Sequence, residues 1–275
     1  MGEGEPLLLI GGLGAQLISW DDGFCAVLAA NGYQVIRYDN RDAGLSTILE
    51  ARGVPDLLAL LLGAGAAPYQ LDDMAVDAAG LLDHLRIERA HVIGLSMGGM
   101  IAQLLALRHP DRVSSVVAAL SGPPGRPASV PSPAVVEALL RPPGPTFEDR
   151  VADAVELRRA LAGQGAEFDA VEARRRATAQ IERAHHPSGT MRQAAAVLAS
   201  PNMLTALHQL TVPAMVVHGE LDPLVSYSSA AAAAQAIPGA AFVGIPGLGH
   251  DLPPRIALQL IDRIIEFHSS RALSR

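Results

Sequence analysis

Ala90-His-Val-Ile-Gly-Leu-Ser-Met-Gly-Gly99 is the stretch from which the fold is read. The apolar run His91 to Ile93 has the character of the end of a buried strand. It meets Gly94-Leu95-Ser96-Met97-Gly98, a match to Gly-x-Ser-x-Gly, and a long apolar helix pattern, Met97 to Arg108, follows at once. Strand, sharp turn and helix in that order is the context in which this pentapeptide lifts a serine onto a strained elbow. The flanking glycines are needed because a side chain there would collide with neighbouring backbone.

A serine hydroxyl is a weak nucleophile until a base takes its proton, and that base works best when a carboxylate fixes its tautomer. Such elbows find their partners in the order Ser, Asp or Glu, His, each in a loop after a strand. The strand pattern Met215–His218 runs into Gly219-Glu220-Leu221-Asp222-Pro223, and the pattern Ala241–Ile245 runs into Pro246-Gly247-Leu248-Gly249-His250. Ser96, Asp222 and His250 are therefore the expected triad. Glu220, two positions from Asp222, is the competing acid. Asp251 adjoins His250 and is expected to point elsewhere. Asp39 and Asp42 stand at another strand end as loop-shaping residues, and His218 is expected to be structural. His185-His186 is placed on the surface of the helical region.

The rest of the chain supplies the frame. Leu7–Ile10 reads as a buried parallel strand, continuous in apolarity. Ser19 is the expected cap of a helix from Trp20 to Asn31, and Tyr33–Tyr38 is the next strand. Leu57–Leu62 is a Leu-rich patch, read as ordinary packing in preference to a short helix near the site mouth. Asp72 or Asp73 is expected to cap a helix carrying Met74, Ala78, Leu81, Leu82 and Leu85 on one face. Val113–Leu120 is a strand, after which the composition shifts to a proline-rich segment, Ser121 to Pro145. Helix patterns over Phe147–Ala162, Phe168–His185 and Thr190–Ala199 follow, with no strand pattern before Val212. Tyr227–Ala236 and Pro254–His268 are the closing helices. This predicts an α/β core over 1–121 and 211–275, with about six largely parallel strands, and a helical cap or lid over 122–210.

Bulk properties narrow the function. The 275 residues carry a formal net charge of −7 with acidic residues scattered, a poor match to nucleic acid. The single cysteine, Cys25, excludes an internal disulfide framework and is expected to be an inert buried thiol. Neither a leader pattern nor an apolar run of about 18 residues is found, which predicts a cytoplasmic protein without a spanning helix. No His-Glu-x-x-His or Cys-x-x-Cys occurs, so no metal or cofactor is expected. Gly12-Leu13-Gly14 imitates a dinucleotide loop but has Leu17 where the third glycine should stand. It reads better as part of an oxyanion hole, which needs preorganised N–H donors. One donor is the Met97 N–H at the N-terminus of the elbow helix. The other comes from the loop after the first strand, with Leu13 chosen over Gly12 or Gly14.

With these motifs in place, the sequence resembles the α/β-hydrolase superfamily over nearly its whole length. Gly94–Gly99, His109–Val113, Asp39–Ser46, His218–Asp222 and Gly249-His250 carry the resemblance. Gly12–Trp20 and the Asn40-Arg41-Asp42 segment resemble bacterial carboxylesterases of the aclacinomycin methylesterase type. Two departures stand out. Gly11-Gly12 replaces the His-Gly of many relatives, and the N-terminal antiparallel hairpin is missing, which predicts an exposed sheet edge that a partner could cover. The resemblance implies a serine carboxylesterase acting through an acyl-enzyme, with oxyanion donors at Leu13 and Met97. Enol-lactonase, C–C bond hydrolase and cofactor-free perhydrolase are the rival chemistries. A hydrolase-like small-molecule receptor is the non-enzymatic one. The Ala- and Leu-rich cap favours a small-molecule ester with an apolar group.

Overall fold

A computed structural model describes residues 1–127, 130–164 and 168–272 of the chain. The strands are β1 (Glu5–Ile10), β2 (Tyr33–Arg37), β3 (Ala90–Leu95), β4 (Val113–Ala119), β5 (Ala214–Gly219) and β6 (Ala241–Ile245). They form one sheet in the order β2-β1-β3-β4-β5-β6, and every pairing is parallel. The helices are α1 (Asp22–Ala30), α2 (Leu57–Leu61), α3 (Leu71–His84), α4 (Met97–Arg108), α5 (Pro133–Leu140), α6 (Phe147–Ala162), α7 (Ala170–Arg183), α8 (Pro187–Ala199), α9 (Tyr227–Ala236) and α10 (Pro254–Ala272).

Side chains of a strand alternate between faces, and here both faces are covered. Leu8, Ile10, Val92, Val116 and Val216 meet α3, α4 and α9, while Leu7, Leu9, Ile93, Val117 and Met215 meet α1 and α10. A strand buried on both faces loses the alternation of polar residues, which is why Leu7–Ile10 is apolar throughout. Helix α4 is buried from Met97 to Ala106, as its all-round apolar pattern predicts. This is the expected α/β-hydrolase architecture, with the sheet wholly parallel.

Several boundaries differ from the sequence expectation, each for a local reason. Asp21, rather than Ser19, caps α1 by accepting from the Phe24 N–H at 2.8 Å. The Ser19 hydroxyl instead accepts from the Gln180 amide at 2.8 Å. Neither Asp72 nor Asp73 is the cap of α3: Gln70 is, and Asp73 reaches back to its N–H at 2.8 Å. Leu85 lies beyond that helix and is exposed. Helix α5 was hidden in the proline-rich segment because Pro133 occupies a first-turn position, where no donor is required. Pro187 opens α8 in the same way, three residues before the expected start. At the β2 edge, Val35 exchanges hydrogen bonds with Met1 at 2.8 and 2.9 Å, so this edge is bridged at one residue.

Helices α5 to α8 form an insert between β4 and β5, and it is bonded firmly to the sheet's loops. Arg192 of α8 and Asp42, both fully buried, make a forked pair at 2.9 and 2.7 Å. The Asp42 carboxylate also accepts from the Tyr69 hydroxyl at 2.9 Å and the Leu49 N–H at 2.8 Å. Burial alone would raise the Asp42 pKa, but Arg192 and these two donors hold it below the usual value. Arg183 of α7 pairs with Asp39 at 2.8 Å. Among the described residues, no helix is long and apolar enough to cross a membrane.

At the other end of the sheet lies a histidine cluster. The His268 ring lies 2.7 Å from the Tyr33 hydroxyl and 2.8 Å from the Ser115 hydroxyl. It stacks on His91, with ring centroids 4.0 Å apart, and His91 faces Glu5 at 3.1 Å. Burial and the neighbouring His91 push His268 down to about 3. Burial and Glu5 push the Tyr33 hydroxyl up to about 12.

Two outcomes follow. Arg192→Met leaves the Asp42 charge buried and unpaired, so urea unfolding should register a loss of about 3–5 kcal/mol. The double variant Asp42→Asn/Arg192→Met should lose less, because no charge stays buried. For His268, the folded state resists a proton that the unfolded chain accepts below about pH 6.5. Stability should therefore fall with pH from about 6.5 toward about 3, at up to about 1.4 kcal/mol per pH unit from this residue. His268→Gln, which cannot titrate, should give a shallower slope in unfolding measured from about pH 7.5 to 5. A slope parallel to that of the unmodified protein would contradict this account.

Candidate active site

The elbow is built by close approach of backbones. A Cβ on Gly94 would fall 2.1 Å from the Gly98 carbonyl oxygen, and one on Gly98 would fall 2.2 Å from that of Ile10. With these contacts closed, Ser96 is forced to φ 56°, ψ −120°, a conformation that costs a non-glycine residue about 1–3 kcal/mol. The Ser96 N–H donates to the Ala119 carbonyl at 2.9 Å, tying the turn to β4. The serine thus stands between the end of β3 and the start of α4.

The three residues expected to act together are brought together. The Ser96 hydroxyl lies 2.9 Å from His250 Nε2, and His250 Nδ1 lies 2.7 Å from Asp222 Oδ2. A hydroxyl can donate to Nε2 only if the ring proton sits on Nδ1, and the carboxylate beside Nδ1 fixes that tautomer. Asp222 is fully buried, and its other oxygen accepts from the Leu224 and Val225 N–H groups at 2.9 and 2.8 Å. The loop after β5 therefore holds the carboxylate through its own backbone. The His250 backbone N–H donates to the Leu161 carbonyl of α6 at 2.7 Å. Of the competitors, Glu220 is exposed, and the Asp251 carboxylate turns to the Leu252 N–H at 2.8 Å.

His218 is buried beneath Asp222, with Nε2 at 2.9 Å from the Val225 carbonyl and 3.3 Å from Asp222 Oδ2. Burial lowers its pKa against the pull of Asp222, so it is a neutral ring whose Nε2–H faces the carbonyl and the carboxylate. Its Nδ1 has no hydrogen-bond partner among the described residues. Cys25 is buried as expected, and burial pushes its thiol up. Asp39 and Asp42 shape loops, and the structure adds their arginine partners from the insert.

The loop after β1 lies against the elbow. A Cβ on Gly12 would meet the Ser96 Cβ at 3.3 Å and its Oγ at 3.9 Å. A turn closes here, with the Ala15 N–H donating to the Gly12 carbonyl at 3.1 Å. The Gly14 N–H is taken by Gln193 Oε1 at 2.8 Å, which removes Gly14 from the candidate donors. The Asn40 amide donates to the Gly11 carbonyl at 3.0 Å, and Asp39 accepts from the Leu17 N–H at 2.7 Å. Gln193, Arg183 and Arg192 carry no signal in the sequence, and Asn40 is marked there only as part of the Asn40-Arg41-Asp42 segment. A glutamine inside an Ala-rich helix carries no local signal of a partner 179 positions away. Among the described residues, no three His, Cys, Asp or Glu side chains are grouped as a metal ion would need.

A hydroxyl, an imidazole and a carboxylate in a hydrogen-bonded line can generate an alkoxide-like nucleophile and shuttle its proton. Comparison with known proteins places the chain among hydrolases. The family model described as the alpha/beta hydrolase fold matches residues 5–253. Rhodomycin D methylesterase DauP of Streptomyces sp. (strain C5) is 35% identical over 273 positions, covering 90% of this chain and 85% of its own. An enol-lactonase from Burkholderia xenovorans LB400 superposes with a TM-score of 0.72 at 25% identity, covering 98% of this chain and 92% of its own. The meta-cleavage product hydrolase CumD from Pseudomonas fluorescens IP01 shares the fold, with a TM-score of 0.75 at 21% identity over 98% of this chain and 93% of its own. The chain belongs to the α/β-hydrolase family and is a hydrolytic enzyme.

Proposed function

We propose that the protein is a serine carboxylesterase that cleaves the methyl ester of a larger, largely apolar carboxylic acid. The observation that carries this reading is the unbroken line Ser96–His250–Asp222, ending on a strained serine beside the Gly12–Ala15 turn. The methyl group is taken from the relatives' activity, since the methylesterase DauP aligns over most of both chains. The apolar acid is suggested by the Ala- and Leu-rich segment 122–210, which we take as a cap over the site.

In this mechanism Ser96 Oγ attacks the ester carbonyl carbon while His250 Nε2 takes its proton. Asp222 holds the imidazolium that forms. The carbonyl oxygen becomes an oxyanion between the N–H groups of Leu13 and Met97, where Met97 adds the positive end of the α4 dipole. The tetrahedral adduct collapses, His250 protonates the departing methoxide, and methanol leaves an acyl-Ser96. Water, deprotonated by His250, attacks the acyl carbonyl and releases the acid and the serine.

The structural likeness to an enol-lactonase favours a second reading, attack on a cyclic ester by the same three residues. A panel of methyl esters and enol-lactones, with methanol measured directly, separates the two. For the first reading, methanol release is expected, and Ser96→Ala should lower kcat/KM by at least about 10⁴-fold in a folded protein. Turnover retained in Ser96→Ala would overturn the serine mechanism. Lactone opening without methanol release would move the assignment to the second reading.

A further inference from the structure

The insert contributes a side chain to the loop on which the proposed oxyanion chemistry depends. Gln193, on α8, is completely buried. Its Oε1 accepts the Gly14 N–H at 2.8 Å, and its Nε2 donates to the Arg41 carbonyl at 2.7 Å. One amide thus fastens the loop after β1 to the loop after β2. Thr190, one helical turn earlier, lies against the same turn: a Cβ on Gly14 would be 2.9 Å from its hydroxyl. Gly14 is the third residue of the Gly12–Ala15 turn, and its φ of +66° is the value a type II turn requires there.

The central peptide of such a turn, here Leu13–Gly14, can flip to give the type I form. The hydrogen bond from Gly14 N–H to Gln193 holds that peptide in one orientation. The Leu13 N–H belongs to the adjoining Gly12–Leu13 peptide of the same turn, and it is unbonded among the described residues. An oxyanion donor lowers a barrier only when held in place before charge develops, and displacement of a reacting group by about 1 Å can cost about 100-fold.

We infer that Gln193 is a positioning residue for the reaction: from the insert, it holds the Gly12–Ala15 turn in the conformation that presents the Leu13 N–H to the substrate oxygen. This rests on the esterase reading above. It makes α8 a working part of the site and not only a wall of it.

The test uses the full-length protein with Gln193→Met, which keeps the volume and removes both hydrogen bonds, and Gln193→Glu, which keeps the acceptor. In Gln193→Met, kcat should fall roughly 10- to 100-fold with KM within about twofold. Affinity for a trifluoromethyl ketone, which forms a tetrahedral oxyanion adduct on Ser96, should weaken by the same factor as kcat/KM. Affinity for the product carboxylate should not change, as a general loosening of the fold would not discriminate between these two ligands. In Gln193→Glu, only the protonated acid can both accept from Gly14 and donate to Arg41. Its activity relative to the unmodified protein should therefore rise as pH falls.

A folded Gln193→Met with kcat within about threefold of the unmodified protein, or with equal losses for the ketone and the carboxylate, overturns the inference. If Gln193→Met does not fold, a Gln193→Glu activity ratio that is near one and flat with pH overturns it instead. If the unmodified protein neither turns over esters nor is labelled at Ser96 by a fluorophosphonate, it is the esterase reading that has failed.

Discussion

The contact between Gly98 and the backbone of Ile10 is the constraint from which the site follows. With no side chain between them, the start of α4 lies directly on the end of β1. That contact bends the chain at Ser96 and sets the β1 loop beside the same serine. The proposed nucleophile and two prospective oxyanion donors are therefore placed by one steric fact. The wholly parallel sheet does the rest. Parallel strands all end at one edge, so the loops after β5 and β6 deliver Asp222 and His250 to the edge where Ser96 already stands.

Loops at that edge would ordinarily be the least stable part of such a fold. Here each is bonded to the insert. The β1 loop is held by Gln193, the β2 loop by Arg183 and Arg192, the β5 loop by the Ser132 N–H on the Pro223 carbonyl at 2.8 Å, and the β6 loop by the Leu161 carbonyl. Rigidity at the chemical centre thus comes from two directions, the sheet below and the helices above. The Asp42–Arg192 pair is dry, so dissolved ions screen it far less than they screen pairs at the surface.

Much of this was legible from residue order alone. The elbow and the positions of Asp222 and His250 beside it are readable because each obeys a local rule: a strand pattern followed by a turn bearing the side chain. The strand and helix series of the core is readable too: strands covered on both faces are short apolar runs, and helices carry an apolar stripe or, in α4, an apolar surface all round. What escaped was set by partners distant in sequence. Gln193 resembles any polar residue in an Ala-rich helix until Gly14 and Arg41 are seen on either side of it. Arg192 resembles a surface arginine until Asp42 is found facing it. Helix α5 lies inside a segment marked in the sequence only by its proline content, although Pro133 at a helix start breaks nothing. Ser19 was read as a cap because its hydroxyl could serve as one, yet Asp21 outcompeted it with a carboxylate two residues later.

Placing the insert between β4 and β5 also bears on how the chain folds. Val116 pairs with Ala214, so this central pairing closes a loop of about a hundred residues. The pairing of β3 with β4 closes a far shorter one, at Ala90 with Val113. Chain-entropy considerations then favour an early unit of β3, α4 and β4, which already contains the serine elbow. The strands that bear Asp222 and His250 dock afterwards, across a span that shortens if the inserted helices collapse first. An immature chain would therefore hold Ser96 in the elbow before His250 stands beside it, and the proposed reactivity would appear only with the last pairings of the sheet.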